Sequence, residues 1–137
     1  MYERVLVAVD HSEVSVRVIA AAKDLATLSK GKVWVLHLRE REFGRLGLTP
    51  SEPDEEAHEA VRDGVDALIQ AGVDTQGEVR ETVFGHAARE IVEYAKEHDA
   101  GIIIMGSRGR SDLAGLVLGS TAHKVIHLTD RPVLVVR

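Results

Sequence analysis

Cysteine is absent from this sequence. That excludes disulfides, thiol catalysis and thiolate metal sites, and it fits a reducing compartment. Long hydrophobic runs are missing too: stretches such as Val5 to Val9 reach about five residues, against the ~20 needed to span a bilayer. The opening Met1-Tyr2-Glu3-Arg4-Val5 does not read as a basic segment leading into an apolar core, so no secretory leader is expected. Nor is there an excess of positive charge. Seventeen Lys and Arg against 22 Asp and Glu leave −5, which gives nucleic acid no bulk attraction. No internal repeat or low-complexity segment is present, and 137 residues suit one domain with a sizeable core. The expectation is one domain over residues 1–137, soluble and cytoplasmic, with no nucleic-acid or membrane partner.

What is present alternates between two periods. Arg4 to Asp10 and Lys32 to Leu38 are nearly continuous aliphatic runs, as in central parallel strands covered on both faces. Between them Val14, Val18, Ala21, Leu25 and Leu28 recur at helical spacing, with Ser12 as cap and Lys30-Gly31 as stop. Arg39 to Pro53 reads as a long connection, either a lid or disordered. A helix follows from Glu55 to Ala71, then a polar strand from Thr75 to Val83 suited to a sheet edge. Ala87 to His98 is helical, with Ala88, Ile91, Val92 and Ala95 inward. Ile102 to Met105 is a buried strand, Ser120 to Thr129 a helix with Ala122, Val125 and Ile126 inward, and Val133 to Val136 the last strand. Such alternation predicts an α/β fold, a five-stranded parallel sheet of order 3-2-1-4-5 with helices on both faces. Ligands of such sheets bind where the winding reverses, here between the strands ending at Asp10 and at Gly106.

The stretch after the Ile102 strand carries the chemistry. Gly106, Gly109 and Gly119 are followed by Ser120 and Thr121. Glycines admit positive φ and close approach of a ligand to the main chain, and Ser120 can cap a helix whose first N–H groups attract anions. The spacing is neither that of a P-loop nor that of the dinucleotide fingerprint. Gly106-x2-Gly109-x9-Gly119-Ser120 resembles the signature of the ATP-binding branch of the universal stress protein family, and the resemblance extends over essentially the whole chain, including Val9-Asp10-His11-Ser12. It implies a Rossmann-like, adenine nucleotide α-hydrolase-like fold that binds ATP. Main-chain groups of Gly106, Ser107, Arg108 and Gly109, with those of Gly119, Ser120 and Thr121, are then expected to hold the phosphates. The Ser120 and Thr121 hydroxyls help, and Arg108, with Arg110 less favoured, pairs with phosphate. By the same resemblance the main chain of Leu38, beside His37, reads the adenine edge, and Val9 flanks the base. Asp10 needs a cation between itself and phosphate, so it either accepts from ribose or helps to hold Mg²⁺. The resemblance also implies a homodimer through residues 133–136. A valine at Gly106 or Gly119 is expected to remove ATP binding with the fold intact.

Other residues carry less. His123 and His127 lie four apart without a third ligand, and His11 and His86 read as loop histidines, so no metal site built from protein clusters is expected. A phospho-receiver needs an Asp ending the third strand and a Lys ending the last, and neither is present. No S-G-G-x-D-S loop follows the first strand, which argues against adenylyl chemistry. No base or second-substrate site is recognisable either, so the expected role is nucleotide-dependent regulation in a stress response. The alternatives are a slow ATP hydrolase or autophosphorylating phosphotransferase, and a partner-binding module with an empty crevice.

Overall fold

The computed structural model describes residues 2–108 and 118–137. Its elements run β1 (Arg4–Ala8), α1 (Val14–Ser29), β2 (Lys32–Gly44), β3 (Gly47–Pro50), α2 (Asp54–Gln70), β4 (Asp74–Val83), α3 (Ala87–Glu97), β5 (Ile102–Gly106), α4 (Ser120–Leu128) and β6 (Val133–Val136). β1 pairs in parallel with β2 and β5, β2 with β4, and β5 with β6. The order β4-β2-β1-β5-β6 is the one expected, with β4 at an edge. Gly109 and Arg110 lie outside the described residues.

Alternation along each strand divides the core in two. Val5, Val7, Val33, Val35, Ile102 and Ile104 face α1 and α2, meeting Val18, Ala22, Ala26, Val61 and Leu68. Leu6, Trp34, Leu36, Ile103 and Met105 face α3 and α4, meeting Ile91, Val92, Ala95, Ala122 and Val125. Two residues expected inside are outside: Leu28 is 85 % and Ile126 45 % exposed. At about 100° per residue, Leu28 is turned about 200° from buried Ala26, and Ile126 about 100° from buried Val125. No helix among the described residues is long and apolar enough to cross a membrane.

The sixth strand is a correction. β2 does not stop at Leu38; it continues to Gly44 and folds back as β3, pairing antiparallel from Arg41↔Pro50 to Gly44↔Gly47. Arg45 and Leu46 make the tight turn, and Gly47 closes it at φ 89°. The segment expected as a lid or disordered is thus largely a hairpin. Its charges are met across the sheet, where Glu81 of β4 accepts from Arg39 Nη1 at 2.9 Å and from Arg41 Nη2 at 2.5 Å. Arg41 pairs with both Val83 and Pro50, so β3 lies on the side of β2 that β1 occupies further back, beyond the end of β1.

Helix α2 lies directly on β4 because Gly77 has no side chain. A Cβ there would stand 2.3 Å from Val61 Cγ1 and 2.7 Å from Val65 Cγ2. Gly77→Ala is expected to lower unfolding free energy by about 1–3 kcal/mol, the usual cost of overpacking, read as a fall in urea midpoint at unchanged slope.

Candidate functional site

Beyond the carboxyl ends of β1 and β5 the chain leaves the sheet toward opposite faces, and a crevice opens there. Its inner part, about 120 Å³, is lined by Val9, Asp10, Leu38, Gly106, Ser107, Arg108, Gly119 and Thr121, among others. It continues into an outer cavity of about 770 Å³ that Ser120 lines, sharing Asp10, His37, Leu38, Glu40, Ala87 and Thr121 with the inner part. Every candidate site residue from the sequence except Gly109 and Arg110, which are not among the described residues, therefore borders one crevice. The outer volume is within the range of small-molecule pockets.

One wall is a gap in the β2 ladder. Successive residues of a strand point their N–H and C=O groups to alternate sides. Lys32 N–H donates to Glu3 O, and Leu36 O accepts from Val9 N–H at 2.9 Å, so even-numbered residues face the β1 side. Arg41 O accepts from Phe84 N–H at 2.9 Å, on the β4 side. Glu40 O is next on the β1 side and is taken by Ser51 N–H at 2.8 Å. Leu38 sits between these two engaged positions, where β1 has ended and β3 has not begun. Its N–H and C=O face the crevice side by side.

The opposite wall is the start of α4. Two of the expected phosphate donors are already engaged: Ser107 N–H donates to Val136 O at 2.7 Å, and Gly119 N–H donates to Ser107 O. This corrects the cradle. The N-cap is Gly119 rather than Ser120, and no side chain caps the helix. The first intrahelical bond runs from His123 N–H to Gly119 O, so the N–H groups of Ser120, Thr121 and Ala122 have no intrahelical acceptor. An anion at this wall would rest on that first turn. Neither Gly106 nor Gly119 has positive φ among the described glycines. Their value lies elsewhere: a Cβ on Gly106 would stand 3.0 Å from Val14 Cγ1 at the start of α1.

Asp10 is anchored by its own loop. Its Oδ1 accepts from Ser12 N–H at 2.8 Å, and Ser15 Oγ lies 2.9 Å from Asp10 O and 3.2 Å from Oδ1. Ser12 thus helps to fix the turn rather than capping α1, whose N-cap is Glu13. Among the described residues Asp10 Oδ2 has no partner. The outer cavity is acidic, with Asp10, Glu40, Glu42, Glu52 and Glu56 against Lys124. Burial, and then the charges of Glu42 and Glu52 against the opposing His37, push the Glu40 carboxyl up.

Sequence reasoning missed a cluster at the mouth. Just past β3, Glu52 turns back so that Oε1 meets His37 Nε2 and Oε2 meets His11 Nε2. His37 is 5 % exposed and its Nδ1 lies 2.9 Å from Val9 O. Burial pushes the Glu52 carboxyl up, but the hydrogen bonds and charges of His37 and His11 together outweigh it and hold the group below its ordinary range. The three residues come from three separate segments, and no spacing in the sequence joins them.

The comparisons with known proteins show the family and the fold. A family model described as "Universal stress protein family" matches residues 1–137. The chain is 36 % identical over 148 residues to Universal stress protein YxiE of Bacillus subtilis, covering 100 % of both chains. It superposes with a TM-score of 0.82 on protein MJ0577, 27 % identical, covering 99 % of this chain and 96 % of that one; MJ0577 comes from Methanocaldococcus jannaschii. On a universal stress protein from Archaeoglobus fulgidus solved in complex with dAMP the TM-score is 0.75, at 26 % identity and 99 % and 98 % coverage.

Proposed function

We propose, from the premise that this chain belongs to the universal stress protein family, that its crevice binds an adenine nucleotide and that occupancy regulates a stress response. The observation that carries the reading is the gap at Leu38. An adenine edge offers an amino group to a carbonyl and a ring nitrogen to an N–H, and Leu38 presents both groups on the crevice side. The Archaeoglobus relative solved with dAMP supports the same ligand class. Val9 borders the base end, and the first turn of α4 receives the phosphates, joined by Arg108 and the Ser120 and Thr121 hydroxyls. We assign ATP as the ligand. Mg²⁺ suits the free Asp10 Oδ2, since a hard cation takes oxygen ligands and would offset the acidic lining; bound, it would neutralise phosphate charge. Asp10, a carboxylate that lines both parts of the crevice, is already engaged with Ser12 and Ser15. Such an arrangement favours binding over turnover. Titrating AMP, ADP and ATP against thermal unfolding tests the reading. Ligand at roughly 100 times its dissociation constant adds about 2.7 kcal/mol and raises Tm. No shift with any of the three, and no nucleotide released from freshly purified protein on denaturation, would contradict it.

Assembly follows from the other edge of the sheet. β6 pairs only with β5 among the described strands, and Leu134, with Ile126 and Leu128 of α4, is exposed. An open aliphatic edge invites pairing with a second copy, and we assign residues 133–136 that role. Ile103 N–H donates to Pro132 O and Ser107 N–H to Val136 O, so even-numbered residues face β5 and Val135 faces outward. Val135→Pro is therefore expected to spare the β5 ladder and convert a dimeric mass to a monomeric one by light scattering. A wild-type monomer at micromolar concentration would overturn the assignment.

A further inference from the structure

We infer that His11, His37 and Glu52 form a binding site for a divalent transition-metal ion at the mouth of the crevice. One ligand atom from each lies within 4.8 Å of the others. Val9 O is a carbonyl and can only accept, so His37 Nδ1, 2.9 Å away, carries the hydrogen. In the neutral ring Nε2 is then a bare lone pair, and it faces Glu52 Oε1. The second carboxylate oxygen faces Nε2 of His11, whose Nδ1 has no hydrogen-bond partner among the described residues. A lone pair against a carboxylate is repulsive unless a proton or a metal ion stands between them. Two imidazoles and one carboxylate are the ligand set of an open zinc site, with the fourth position left vacant. A ring fixed through Nδ1–H to a backbone carbonyl is the support that metal-bound histidines commonly have.

The surroundings suit the ion. The Glu52 side chain is 10 % exposed and that of His37 6 %, so the ligands are largely shielded from water, while His11 at 24 % keeps an entry path. All three residues line the outer cavity with Asp10, so an ion held there would border the crevice. Tetrahedral coordination needs ligand atoms about 3.3 Å apart, so Glu52 would move outward by roughly 1 Å to admit the ion. Because Glu52 follows β3, a bound ion would tie the return of the hairpin to the loop after β1 and to the middle of β2.

The test uses the full chain, freed of nucleotide and metal, then equilibrated with Zn²⁺ at neutral pH and counted by elemental analysis, with Co²⁺ as the spectroscopic probe. One ion per chain and a four-coordinate Co²⁺ visible spectrum are expected. Glu52→Gln and the more exposed His11→Asn are each expected to weaken binding by more than about 10-fold, while His123→Ala with His127→Ala leaves it unchanged. No retained ion, or retention that ignores both ligand variants, would overturn the site and leave protons bridging the cluster. Adenine-nucleotide affinity measured in chelator is a separate readout, so the metal site and the nucleotide reading can fail independently.

Discussion

Replacing Leu38 by proline is expected to weaken adenine-nucleotide binding by roughly 10- to 100-fold, the 1–3 kcal/mol lost when a polar group is left without its partner. Ordinarily a proline inside a strand of a sheet removes a ladder bond. Here the N–H of residue 38 belongs to the even-numbered set facing the β1 side, and there it lies between the engaged Leu36 and Glu40. The β2–β4 ladder uses the other set and keeps its bonds. His37, the preceding residue, is already in a strand, which suits the constraint that proline places on its neighbour. The ring also fills the space into which the N–H pointed. Leu38→Ala keeps the donor and acceptor and should bind almost as the wild type does. Calorimetric titration is the suitable measurement, because Trp34 sits under Arg4 and Lys32 at the start of β2, at the end of the strand away from the crevice. Equal affinities for the proline and alanine variants would remove Leu38 from the site.

The parts of this molecule legible in the sequence are those where one physical demand acts alone. Short aliphatic runs rich in β-branched residues, such as Val5–Val9 and Ile102–Ile104, read as buried strands, and right-handed crossovers then leave few orders for the sheet. The glycine signature marks the crevice for the same reason, since close approach of backbone to backbone or ligand tolerates little else. The hairpin was hidden because Arg39 to Glu42 look solvated, and Glu81, the partner of Arg39 and Arg41, lies about 40 residues away on β4. Gly44 and Gly47, flanking Arg45-Leu46, were the available signal. The His11–His37–Glu52 cluster was out of reach for a related reason: only the hairpin's return over the end of β1 brings Glu52 to the two rings. Donor capacity is likewise a property of the folded ladder. Nothing local to Ser107 says that its N–H will be claimed by Val136.

Gly106→Val shows what that difference means for experiment. Sequence alone led to the expectation that the substitution empties the phosphate site and leaves the fold intact. The structure turns the added atoms elsewhere. A Cβ at position 106 meets Val14 Cγ1 at 3.0 Å, Arg108 O at 3.4 Å and Val14 Cβ at 3.5 Å, and the γ-carbons of valine have less room still. The expected result is a loss of about 3 kcal/mol of stability, at the upper end of overpacking costs, because α1 must move off β5. Nucleotide affinity falls as well, since Val14 opens the helix whose preceding turn holds Asp10 against Ser12 and Ser15. Trimming the obstacle separates this account from phosphate blocking. Val14→Ala in the Gly106→Val background should recover about 1–2 kcal/mol beyond additivity, the coupling expected of side chains in contact, and should restore part of the affinity. If binding is lost while the urea midpoint stays put, and Val14→Ala rescues nothing, the valine blocks the phosphate volume after all and the packing account fails. Gly119→Val makes the contrast: its φ of −71° and ψ of 162° are open to any residue, so whatever it costs comes from volume at the α4 wall and not from backbone strain.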